Sequence, residues 1–266
     1  MPNTLFGAQP LFTIATWNVN SLKMRMPVLL EWLEKHKPDA LALQETKIED
    51  HEFPTLDLAI AGYQAVYAGQ KSYNGVAILA KDMPDACDYG LPDFADEQKR
   101  VIAATVNGVR VIDLYVPNGQ SVGSDKYEYK LNWLAALHRW LGEELQKHEK
   151  IVVLGDFNIA PEDADVDDPW RWEGRILFTE AEKAAFHRLL ELGYVDAFRR
   201  FPHPPKTFSW WDYRMNAFQK NRGARIDHVL VSPALVPKLT AAMIDVAPRT
   251  HERPSDHTPV VISMEN

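Results

Sequence analysis

Short apolar runs of strand length recur along the whole chain, at residues 12–17, 40–43, 76–80, 101–106, 109–115, 151–154, 226–231 and 260–263. This recurrence constrains the fold more than any other feature. Helical patterns lie between some of the runs. Leu134, Leu137, Leu141 and Leu145 share one stripe of a helix expected over 126–147. Thr179-Glu180-Ala181-Glu182 is a capping box, followed by Phe186, Leu189 and Leu190, with Gly193 fit to close the helix. A further helix is expected over 24–36, with Pro27 in its first turn. The strands are too many and too unevenly joined for an alternating barrel. The pattern predicts an α/β fold, a four-layer sandwich of two mixed β-sheets packed face to face with helices outside.

No repeat, low-complexity tract or linker divides the 266 residues, so one domain over 13–266 is expected, preceded by a short extension over 1–12. Cys87 is the single cysteine, which excludes an internal disulfide and a cysteine-rich zinc site and fits a reducing, cytoplasmic setting. No signal peptide is visible, and no run approaches the roughly 18 apolar residues of a membrane span. The net charge is −8, from 29 basic and 37 acidic residues. That argues only weakly against polyanion binding, because a carboxylate cluster that holds cations would account for part of it.

Where the apolar runs end, the same chemistry returns: Asn18 after IATW, Glu45 after LALQ, Asp156 and Asn158 in LGDFN, Asp227 in RIDHVLV, and Asp256-His257 before TPVVIS. Any one of these could merely make a turn. Together they suggest strand ends converging on one cleft. Phosphodiester cleavage needs a cation on the nonbridging oxygens, an oriented water and stabilisation of the departing alkoxide. Glu45 offers a hard oxygen ligand suited to Mg²⁺, with Mn²⁺ as substitute. Asp156 is the candidate to orient or deprotonate water, with Asn158 holding it and the phosphate, while an imidazole held by a carboxylate can stabilise charge on the phosphate. Tyr115 and Asn118, at a Pro-Asn-Gly bend, can hydrogen-bond phosphate. His228 follows Asp227 in a strand, should face the other way, and reads as structural.

The segments Thr16-Trp17-Asn18-Val19-Asn20, Gln44-Glu45-Thr46-Lys47, Tyr115-Val116-Pro117-Asn118-Gly119, Gly155-Asp156-Phe157-Asn158, Phe208-Ser209-Trp210-Trp211-Asp212-Tyr213, Arg225-Ile226-Asp227-His228 and Ser255-Asp256-His257 resemble, in order, the motifs of the exonuclease III family of class II abasic-site endonucleases. The resemblance runs over about 13–262. It implies a metal-dependent DNA-repair phosphodiesterase, a monomer acting on duplex DNA at abasic sites or 3′ ends. It also implies an Asp227–His257 pair, a metal site drawing on Glu45 and Asn18, and Asp256 as a further metal-site or histidine-orienting carboxylate. The wider superfamily includes lipid and inositol phosphate phosphodiesterases, but Lys47 and the Trp210–Tyr213 aromatic block are similar to the repair branch. A catalytically silent DNA-binding protein is the remaining alternative, and Glu45, Asp156, Asp227 and His257 all being present speaks against it.

Arg214, Lys220, Arg222 and Arg225 form a local basic stretch beside those aromatics and are expected to meet phosphates, with Lys71, Lys99 and Arg100 as weaker contacts. The family's pocket for an abasic sugar corresponds to Trp210, Ala224 and Ile226. Alanine is small where relatives carry a larger side chain, which leaves the balance between abasic incision and 3′ exonuclease activity open. The Asp- and Trp-rich segment 163–174 is poorly determined by the resemblance: it contacts DNA or only covers the core.

Overall fold

A computed structural model describes residues 11–266. In chain order its strands are β1 (Leu11–Asn18), β2 (Ala40–Gln44), β3 (Gln64–Ala68), β4 (Val76–Ala80), β5 (Asp85–Tyr89), β6 (Val101–Val106), β7 (Val109–Tyr115), β8 (Ile151–Asp156), β9 (Val195–Asp196), β10 (Asp227–Val231), β11 (Leu239–Ile244) and β12 (Val260–Glu265). They form two six-stranded sheets, ordered β11-β12-β1-β2-β4-β3 and β5-β6-β7-β8-β10-β9. Both sheets are mixed. The pairs β1–β2 and β7–β8 are parallel and the other neighbours antiparallel. The α-helices are α1 (Leu22–His36), α2 (Thr55–Ile60), α3 (Asp125–Lys147), α4 (Pro169–Trp172) and α5 (Glu180–Glu191).

Alternation along the strands gives each sheet two apolar faces. One set, including Ile14, Ile78, Val111, Leu154, Val229 and Ile262, packs between the sheets. The second sheet's outer face, with Ile112 and Val153, receives Trp133, Leu137 and Leu141 of α3 and Phe186 and Leu189 of α5. The first sheet's outer face receives Leu29, Trp32 and Leu33 of α1. The four expected layers are present.

The strands that the apolar pattern did not reveal, β3, β5, β9 and β11, are the four sheet edges. An edge strand is half-solvated, so it has no need of a continuous apolar run; every residue of β5 is at least partly exposed. Two other expectations need correction. Helix α1 begins at Leu22, so Pro27 lies in its second turn, where its missing N–H leaves one carbonyl without a helical partner. Strand β1 begins at Leu11 and pairs Phe12 with Met264, so the sheet takes in the last two residues assigned to the extension; residues 1–10 lie outside the described residues.

Gly155 is required where β8 approaches β7. Its φ is +140°, and a Cβ there would stand 1.9 Å from the Leu114 carbonyl oxygen. This close approach positions the end of β8, where Asp156 sits.

Candidate active site

The two sheets present β1, β2, β7, β8 and β10 at the same edge, and Asn18, Gln44, Tyr115, Asp156 and Asp227 are terminal residues of those strands. Cross-strand register brings them together: Asn18 is opposite Gln44, Tyr115 opposite Asp156, and Asp156 opposite Asp227. Glu45 and Asn158 follow directly, both with left-handed backbone (φ 51° and 49°), as do Asn20 and Lys47 nearby (φ 45° and 53°). Non-glycine residues held in this region concentrate where function requires a side chain to be aimed.

Asn18 is fully buried, and its Nδ2 donates to Glu45 Oε1 and to Asp156 Oδ2, both at 2.9 Å. The amide thus joins the two carboxylates. The other Asp156 oxygen accepts the Asn158 backbone N–H at 2.9 Å. Across the cleft Asp227 accepts from His257 Nδ1 at 2.9 Å, which turns Nε2 toward Asp156 Oδ2, 3.6 Å away. Burial disfavours charge on His257, but Asp227 and Asp156 outweigh it and raise its pKa, which favours the protonated ring. Asp156 is pushed above the usual carboxylate range by burial, with Asp227 and Glu45 adding to the effect and His257 and the Asn18 hydrogen bond opposing it. Tyr115 is raised well above the phenol's ordinary value, first by burial and then by Glu45 and Asp156, and so remains a proton donor.

Lys47 Nζ pairs with Glu45 Oε2 at 2.9 Å and also donates to Asn20. Asn20 Nδ2 in turn donates to Asp256 Oδ1, and Trp210 Nε1 donates to Asp256 Oδ2 at 3.0 Å. Asn20, within the Thr16–Asn20 segment, thus joins the cleft network although its residue type alone assigns it no role. Its hydrogen-bonding to both Lys47 and Asp256 appears only in three dimensions.

Ligand atoms of Glu45, Asp156 and His257 lie within 4.8 Å of one another. Asp256 is not in this group. Its two oxygens accept from Asn20 and Trp210 at the rim of the cleft. Asn158 Nδ2 donates to the Val116 carbonyl and its Oδ1 accepts from Asn118, so the amide ties two loops together. Beneath both loops, the fully buried Lys130 reaches Asn158 O (2.7 Å), Asn118 O (3.2 Å) and Glu182 Oε1 (2.5 Å). Burial lowers its pKa, opposed by Glu182 and Asp156. The sequence offered no signal for this lysine beyond a polar residue on an apolar helix.

Further out, Arg100 donates to the Tyr115 carbonyl and lies over its ring, 4.6 Å from the centroid. It borders a cavity of about 680 Å³ reaching from Asn118 to Lys126 and Tyr129. Lys71, Lys99, Lys220 and Arg222 are exposed, and Arg214 is paired with Asp212. Arg225 is different: it is buried and bonded to Asp165 and Asp196, so it holds the fold and does not reach phosphate. His228 is structural, as its strand position implied. Its Nε2 donates to the Ile159 carbonyl, and burial together with Arg225 lowers its pKa to about 4, leaving it neutral. Ala224 and Ile226 are fully buried, and Trp172 of the undetermined segment packs against the same cluster as Trp210.

The endonuclease/exonuclease/phosphatase family model matches residues 15–257, the span that contains every residue of this cleft. Exodeoxyribonuclease III of Haemophilus influenzae is 37% identical over 258 residues, covering 92% of this chain and 97% of that protein. A Neisseria 3′ phosphatase solved with a product DNA hairpin superposes with a TM-score of 0.94 at 44% identity, over 96% of this chain and all of that one. An AP endonuclease from Archaeoglobus fulgidus gives a TM-score of 0.92 at 37% identity, again over 96% and 100%. On these matches and on the strand-end cleft they span, the chain belongs to the endonuclease/exonuclease/phosphatase family.

Proposed function

We infer that the protein is a DNA-repair nuclease, a monomer that hydrolyses phosphodiester or phosphomonoester bonds of duplex DNA with Mg²⁺ or Mn²⁺. The observation that carries this reading is the cluster of Asn18, Glu45, Asp156 and His257 at one sheet edge, in which Asn18 hydrogen-bonds to both carboxylates and His257 Nε2 stands 3.6 Å from Asp156. All of it comes from one chain. The relatives named above act on DNA, which supports the substrate class.

The donor set fits a hard cation. Carboxylates of Glu45 and Asp156 are drawn together by one amide, no thiolate is near, and burial, with Asp227 and Glu45 adding to it, holds the Asp156 pKa up. Glu45 would be the principal ligand, and the cation would supply charge to the nonbridging oxygens and the leaving alkoxide. Asp156, fixed by Asn18 and the Asn158 N–H, takes a proton from the attacking water. The water oxygen bonds to phosphorus, the P–O3′ bond breaks, and the 3′ oxygen leaves as a hydroxyl after gaining a proton. His257, held by Asp227, donates from Nε2 to the phosphate, and the protonated Tyr115 phenol donates from the facing strand. Fixed donors in a dry cleft need no reorganisation as charge develops.

EDTA is therefore expected to abolish nuclease activity on duplex DNA, and Mg²⁺ or Mn²⁺ to restore it. Glu45→Gln should weaken Mn²⁺ binding, read directly by calorimetry, with little change in melting temperature. Full activity after exhaustive chelation would reject the assignment.

A further inference from the structure

One step below the cleft, a polar layer crosses the otherwise apolar space between the sheets. Side chains two apart on a strand share a face, so Thr16 follows Ile14 and precedes Asn18 on the inner face of β1, Gln44 follows Ala42 on β2, and Asp113 lies between Val111 and Tyr115 on β7. Thr16, Gln44 and Asp113 are fully buried. Gln44 Nε2 donates to Asp113 Oδ1 at 2.7 Å and to Thr16 Oγ1 at 2.8 Å. Strands β2 and β7 belong to different sheets, so the first of these bonds ties one sheet to the other. The remaining oxygen of each group, Asp113 Oδ2 and Gln44 Oε1, is buried without a hydrogen-bond partner.

A buried acceptor left unbonded is costly, and a carboxylate buried without a cation is more so. Two acceptor oxygens cannot satisfy each other. A proton on Asp113 Oδ2 resolves both faults, because it supplies a donor for Gln44 Oε1 and removes the charge. Burial raises the Asp113 pKa well above the ordinary carboxylate value, against the hydrogen bonds of Gln44 and the Ala77 backbone, and no cation acts on it. We propose that Asp113, as the carboxylic acid, donates from Oδ2 to Gln44 Oε1 and closes a two-bond pair between the sheets, a tie that positions Glu45, which follows Gln44, against Tyr115, two residues beyond Asp113. Asp113 is thus a positioning residue. Its role rests on the nuclease reading above.

The test measures kcat and KM with Mg²⁺ on two labelled duplexes, one nicked with a 3′ phosphate and one with an internal tetrahydrofuran abasic analogue. In Asp113→Asn an amide N–H takes the place of the acid's donor and Oδ1 still accepts, so turnover should stay within about twofold of wild type. Asp113→Leu keeps the volume and deletes both bonds. Its kcat should fall at least about tenfold while KM changes by less than about twofold, the mark of displaced groups and not of weakened binding. Asp113→Thr keeps one hydroxyl, should fall between the two, and carries the test if Asp113→Leu does not fold. An infrared difference spectrum of wild type minus Asp113→Asn should contain the carbonyl band of a protonated carboxyl group. Carboxylate bands in its place, an Asp113→Asn variant as slow as Asp113→Leu, or wild-type turnover in the folded Leu or Thr variant would overturn the proposal while leaving the nuclease reading intact. Wild-type protein inactive on both duplexes would overturn the reading itself.

Discussion

Asp156→Asn is expected to lower turnover on duplex DNA by at least about a hundredfold, and His257→Ala by a similar factor, the usual cost of losing a proton acceptor or a preorganised charge. Both side chains are buried and hydrogen-bonded on their far sides, Asp156 to Asn18 and the Asn158 N–H, His257 to Asp227. Each is thus aimed before substrate arrives. Asparagine at 156 keeps the size and one acceptor but cannot take the water's proton. Duplex binding should survive in both variants, because the exposed cations that would meet the backbone are untouched. Single-turnover rates and filter-binding affinities separate the two quantities. Near wild-type turnover in both variants would show that the acid–base assignment is wrong.

Lys130→Met should destabilise the protein by about 3–5 kcal/mol, the range for removing one partner of a buried ion pair. The pair is fully enclosed, and the Glu182 carboxylate left behind would keep only the Leu177 and Thr179 donors. The same ammonium holds the carbonyls of Asn118 and Asn158, so the loops behind Tyr115 and Asp156 would lose their common support. Turnover at low temperature, where the variant is still folded, should therefore fall more than substrate affinity does, since small displacements of catalytic groups are costly. Urea unfolding gives the stability, and kcat measured separately from KM gives the positioning effect. A destabilisation below about 1 kcal/mol would mean that the cavity rearranges to solvate Glu182.

By itself the sequence determined the layered α/β architecture and named most of the polar residues that the structure brings together in the cleft. Central strands are buried on both faces and must be continuously apolar, so β1, β2, β4, β6, β7, β8, β10 and β12 could be read directly, and the polar residues that end them were conspicuous. The capping box at Thr179 was legible for a similar reason, since its hydrogen bonds are local: the Thr179 side chain accepts from the Glu182 N–H as the pattern implies. Edge strands carry no such obligation and escaped notice.

What only the tertiary structure decided is who meets whom across long chain separations. Asp256 and His257 are adjacent in the chain, yet successive residues diverge: His257 turns to Asp227 while the Asp256 oxygens accept from Asn20 and Trp210. Arg225 sits in a basic stretch but turns inward, because Asp165 and Asp196, 60 and 29 residues away, compensate its burial. The short side chain of Ala224 suggested an open wall in the sequence, yet Ala224 is fully buried in a cluster against which Trp172, from a segment 52 residues earlier, also packs. Secondary structure is governed by local spacing and burial, which a sequence displays; a buried charge or a filled pocket depends on a partner brought there by the fold.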